Sequence, residues 1–197
     1  MWRLFAAFAL ACIALLLWPE SLHALRWQRG AISDGQWWRL LSAHFAHLDA
    51  RHAWANLVGM ALVIEWLAAS MRPAEALLVM LASALAIVAG LATFNPAVVW
   101  YAGLSGVVHG LWAGSALLGW LRQRQDPRAP QRSLPAAALG VLALKLMLPA
   151  WLSPMLASGM PVVPQSHLYG ALGGAVAALL VFAGASRAAM PLKFGLE

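Results

Sequence analysis

The chain has 197 residues, of which 62% are hydrophobic and 10% charged, with a mean hydropathy of +0.74; an ordinary soluble domain is only about 45–50% apolar. This composition excludes a water-soluble globular enzyme and reads as an integral membrane protein. The net charge of +6 does not indicate nucleic acid, because the basic residues stand beside apolar segments without an aromatic-interleaved patch, and the single cysteine, Cys12, excludes an intramolecular disulfide.

A bilayer core about 30 Å thick takes about 20 apolar residues per helix. Six segments qualify, at about 2–18, 51–70, 73–93, 103–121, 134–152 and 162–185. Their connections are short, so the sequence predicts a single domain over 1–197, an all-α bundle of six transmembrane helices. In the first segment "ALAC" resembles a lipoprotein cleavage box, but the apolar run continues through "IALLLW", as in a retained helix rather than a cleaved leader. The loop 19–50 follows. Its second half, "GQWWRLLSAHFAHL", mixes aromatic and polar residues at helical spacing, which predicts a segment lying in the membrane interface. Pro73 suits the first turn of the third helix. Residues 122–133 read as a polar linker and 153–164 as an irregular loop before the sixth helix.

If the six helices alternate, Arg3, Arg72, Arg122, Arg124, Arg128, Arg132, Arg187 and Lys193 fall on one side. Only Arg26, Arg29, Arg39 and Arg51, all from the first loop, fall on the other. By the positive-inside rule both termini are then cytoplasmic and the second, fourth and sixth helices run inward from the outer face.

Ionisable and strongly polar groups inside a bilayer are costly and face the bundle interior. His52 and Asn56 open the second helix, Ser105 the fourth and His167 the sixth, so these groups share a depth about one turn inside the outer boundary. Glu65 and Lys145 are expected deeper, toward the cytoplasmic half, where they could pair across the second and fifth helices. Gly106, Gly110 and Gly114 on the fourth helix, and Gly170 and Gly174 on the sixth, form faces that allow close backbone approach in lipid. At about 100° per residue, Gly170 and Gly174 fall within roughly 60° of His167. The two faces are therefore expected to bring His167 to Ser105.

A serine beside a histidine is a nucleophile beside a general base, and needs no metal or other cofactor. The N–H groups at a helix start, with side-chain donors from His52 and Asn56, can stabilise an oxyanion. Asp34 and Asp49 lie in the first loop and Glu65 too deep to orient His167, so a dyad is expected rather than a triad.

At these residues the sequence resembles the rhomboid family of intramembrane serine proteases. It matches H-x-x-x-N at His52 and Asn56, G-x-S-G at Gly103 to Gly106, H-x-x-G-x-x-x-G at His167, Gly170 and Gly174, and the loop Trp–Arg pair at Trp38 and Arg39. The stretches "WWRLLSAHFAHLDARHAWANL", "WYAGLSGVVHG" and "SHLYGALGG" are most similar to rhombosortase, a compact bacterial branch. The resemblance implies a six-helix core with Ser105 as nucleophile, His167 as base and an oxyanion site at His52, Asn56 and the Ser105 backbone. It also implies a bacterial inner-membrane location with the active site opening to the periplasm. The substrates implied are membrane-anchored proteins ending in a Gly-Gly motif, a transmembrane helix and a basic tail. His109 departs from the family pattern: many members carry a tyrosine there that stacks on the catalytic histidine, a role His109 could fill.

Other readings remain open in the sequence alone. Ser105 could simply bond its own helix, and His52 with Asn56 could cap the second helix. His44 and His47 read as loop anchors; zinc metalloproteases place a glutamate between histidines at i and i+4, and that pattern is absent. A general rhomboid protease and a non-catalytic relative that binds transmembrane segments are the functional alternatives, the latter disfavoured because both Ser105 and His167 are present.

Overall fold

The computed structural model describes residues 1–68, 71–125, 133–147 and 163–188. In chain order these form α1 (Trp2–Leu16), α2 (Ser21–Leu25), β1 (Trp27–Gln28), α3 (Arg29–Ser33), α4 (Arg39–Ser42), α5 (Ala50–Trp66), α6 (Pro73–Phe94), β2 (Trp100–Tyr101), α7 (Ser105–Gln125), α8 (Ser133–Met147) and α9 (Pro164–Ala188). Among the described residues the helices of 15 residues or more overlap the six apolar segments. Expected helix 148–152, most of the linker at 126–132 and nearly all of the loop at 153–162 lie outside the described residues.

By length and composition, two of the described helices are able to cross a membrane, Pro73–Phe94 and Pro164–Ser186. The central helix α7 misses that measure for a physical reason: its serines, glycines and histidine face protein, not lipid, and twelve of its residues are buried. It packs against α5, α6, α8 and α9.

Small residues make that packing possible. A side chain at Gly170 would run into the Gly106 carbonyl, and one at Gly174 into the Gly110 carbonyl. The α7 and α9 backbones therefore touch directly. Helix α6 closes the third side, with Val79, Ser83 and Ile87 set against Gly114, Gly110 and Gly106.

In the first loop the "GQWWRLLSAHFAHL" stretch is helical only over Arg39–Ser42 and packs onto the protein. Ala43 and Ala46 are completely buried, and His44 and His47 nearly so. Side-chain bonds to backbone carbonyls dictate the turns: Ser42 Oγ donates to Leu25 O (2.8 Å), and Arg39 Nη1 donates to His23 O (3.0 Å) and Arg26 O (2.9 Å). Trp37 and Trp38 remain exposed on its outer surface.

The loop is also tied to the segment before α7. Strands β1 and β2 pair antiparallel, Trp27 with Tyr101 and Gln28 with Trp100. The Arg29 guanidinium donates to Leu91 O, Ala92 O and Asn95 O, which satisfies carbonyls at the C-terminus of α6 and complements its dipole. At the opposite end of α6, buried Glu75 accepts from Arg72 (2.9 Å) and Arg122 (2.9 Å). The bundle thus has one end held by Arg26, Arg29 and Arg39 and another by Arg72 and Arg122.

Candidate active site

Helix α7 begins immediately after a backbone feature that sets its first side chain. Gly103 has φ +123°, which disfavours any side chain, and a Cβ there would strike the His52 imidazole. The turn is held by Gly103 N donating to Ala43 O (2.9 Å) and Tyr101 Oη donating to Gly103 O (2.7 Å). Ser105 follows as the first helical residue, partly exposed, at an end where backbone N–H groups lack intrahelical partners.

Across the glycine seam, His167 Nε2 lies 3.0 Å from Ser105 Oγ. The His109 ring stacks on His167 with centroids 4.1 Å apart and planes 7° from parallel. Its Nδ1–H donates to the Ser105 carbonyl (2.7 Å), so one side chain both supports the imidazole and ties it to the start of α7. Among the described residues no carboxylate bonds His167.

Helix α5 supplies the facing wall. Asp49 caps it, accepting from His52 N at 2.7 Å, and so positions its first turns. Asn56 is buried and its Nδ2 has no hydrogen-bond partner among the described residues. It lines, with Ser105 and His109, a cavity of about 480 Å³ between α5, α7 and α8. The His52 ring lies against Gly103, two residues before the serine, and meets His47 edge to face at 5.1 Å.

His47 and His44 support the loop from beneath. His47 Nδ1–H donates to Phe45 O (2.9 Å), and His44 lies edge-on to Tyr101. Burial pushes both imidazoles down to about 4, so both are neutral near pH 7.

Residues 34–184, more than half of the chain, match the family model for the Rhomboid domain. The chain belongs to the rhomboid family. No curated protein matches it significantly. Rhomboids are membrane-embedded intramembrane serine proteases, and the matched span contains Ser105, His167, His109, His52 and Asn56.

Within this rhomboid domain the structure gathers Ser105, His167, His109, His52 and Asn56: Gly106, Gly110, Gly170 and Gly174 bring the α7 and α9 backbones together, and Gly103 leaves room for the His52 ring. The loop pair divides: Arg39 is buried and makes side-chain bonds, whereas Trp38 is 56% exposed and its backbone carbonyl accepts from Leu41 N and Ser42 N. The expected depth of Lys145 is corrected. It lines the same cavity as Ser105; Lys145 and Glu65 are both exposed, and among the described residues no ion pair joins them. Sequence reading misplaced Lys145 because it assigned depth from segment ends, and the register between α7 and α8 is a tertiary property. Tyr101 was not singled out at all, and only its position four residues before the serine could have pointed to it.

Proposed function

We propose that this rhomboid protein is an intramembrane serine endopeptidase working through a Ser105–His167 dyad. The observation that carries the reading is the 3.0 Å approach of His167 Nε2 to Ser105 Oγ across two helices whose glycines bring them into backbone contact. The imidazole takes the hydroxyl proton as Oγ attacks the peptide carbonyl carbon, and negative charge develops on the carbonyl oxygen. Asn56 Nδ2, His52 and the Ser105 N–H donate to that oxygen. The C–N bond then breaks, His167 returns the proton to the departing amine, and water releases the acyl group from Ser105 by the same route in reverse.

The reading extends to the membrane setting. All six long helices cross a bacterial inner membrane, both termini are cytoplasmic, and the dyad opens toward the periplasm; the separation of the arginines between the two ends of the bundle supports this. Similarity of the loop, serine and histidine stretches to rhombosortase supports a substrate class of exported proteins with a C-terminal Gly-Gly motif, transmembrane helix and basic tail.

An uncharged fluorophosphonate applied to the membrane-embedded protein tests the dyad. Ser105 alone should be labelled, and Ser105→Ala and His167→Ala should each abolish cleavage of a co-expressed Gly-Gly, helix and basic-tail reporter. General-base loss alone is expected to cost about 10²–10⁴ in rate. Wild-type cleavage by His167→Ala would remove the dyad.

A further inference from the structure

Lys145 brings a positive charge to a cavity that is otherwise apolar apart from the catalytic groups. Its α8 neighbours Leu134, Ala138 and Val141 recur at helical spacing and line the same wall, opposite Leu62 and Trp66 of α5. Among the residues lining this cavity Lys145 is the one formally charged group. Among the described residues it has no ion pair and no hydrogen bond.

Its height follows from one contact. Trp112 Nε1 donates to Ala138 O at 3.1 Å, fixing the register of α7 against α8. Ser105 precedes Trp112 by seven residues and Lys145 follows Ala138 by seven, a rise of about 10.5 Å on each helix. With α7 and α8 packed antiparallel both rises lead to the same level, and both residues line the one cavity, which also extends to Leu134 of α8 and Trp66 of α5. The ammonium is also within electrostatic reach of the His109 and His167 rings.

Lys145 is exposed on this otherwise apolar wall, where an ammonium has no fixed partner among the described residues and is free to meet one that enters. A peptide reaching Ser105 through this cavity shares the space that Lys145 lines. We infer that Lys145 is a specificity-determining residue, which pairs with an acidic side chain carried by the substrate close to the scissile bond. This rests on the protease reading and adds a substrate requirement to it. A lipid phosphate could satisfy the same ammonium, but in that place it would occupy the space the scissile bond needs, so the peptide is favoured. In low-dielectric surroundings such a pair is stronger than at a surface, and a substrate lacking the acid leaves the cation uncompensated.

The test uses the full-length protein in vesicles and a membrane-anchored reporter carrying Asp, Asn or Lys in turn at each of the four positions on either side of the cut. For the wild type, kcat/KM should favour Asp over Asn at one position by about tenfold or more. Lys145→Arg should keep that ratio, Lys145→Met should bring it close to one, and Lys145→Glu should turn the preference toward Lys at the same position. Each ratio is internal to one variant, so altered folding cancels. A wild type indifferent to Asp and Asn at every position, or an undiminished Asp preference in Lys145→Met, overturns the proposal. So does a Lys145 effect that follows the anionic lipid content of the vesicles and not the reporter. Ser105 labelling in the wild type is measured alongside: its absence would sink the protease reading itself, whereas labelling with no charge preference sinks only the role of Lys145.

Discussion

Substitution of Asn56 is the way to separate the proposed oxyanion stabilisation from the making of the nucleophile. A buried amide N–H₂ without a partner costs about 1–3 kcal/mol in the resting protein, and here it faces the cavity beside Ser105. Asn56→Ala removes the donor and leaves the dyad intact. Turnover per folded molecule should fall about 10²–10³-fold, phosphonate labelling of Ser105 should fall far less, and the melting temperature in detergent should hold or rise. A variant that is less stable yet fully active per folded molecule would reduce Asn56 to a structural role. This side chain was legible in the sequence because a polar residue one turn after His52, inside an apolar segment, has few bland explanations. The stacking partner of His167 was legible only as an option, since the i, i+4 spacing of Ser105 and His109 shows a shared face without showing what lies across it.

The pairing of α7 with α9 rests on glycines, and the consequence differs sharply among them. A Gly174→Val side chain must displace the Gly110 carbonyl, whereas nothing lies within 4 Å of a side chain added at Gly140 of α8. Gly174→Val should destabilise by about 1–3 kcal/mol or more and, by separating α9 from α7, reduce Ser105 labelling in the protein that still folds. Gly140→Ala should be neutral or stabilising by up to about 1 kcal/mol, because alanine is the better helix former. Thermal unfolding of both variants checks this, and an unchanged Gly174→Val melt would contradict the contact. The recurrence of glycine every four residues announced this seam. The part played by α6 did not show, because that helix is apolar all round and offers no periodicity to say which face meets the glycines.

The arginines place a further constraint on how the bundle sits in its membrane. Arg72 and Arg122 meet through Glu75 at one end, while Arg29 caps α6 at the other, near Ser105. Cysteines introduced at Asp34 and at Gln125, both exposed, should therefore react with impermeant reagents from opposite sides, and native Cys12, fully buried, should stay silent. Reaction of both from one side would refute the topology and the periplasmic opening together. The membrane class, the helix positions, the glycine seam and the candidates Ser105, His167, His52 and Asn56 follow from the sequence alone, because hydropathy, spacing and the cost of polar groups in lipid are local quantities. The folded first loop, the Tyr101 bond behind Gly103 and the level of Lys145 beside the serine depend on register between segments distant in the chain. No local pattern carries that register; the Trp112–Ala138 contact and the β1–β2 pairing set it in three dimensions.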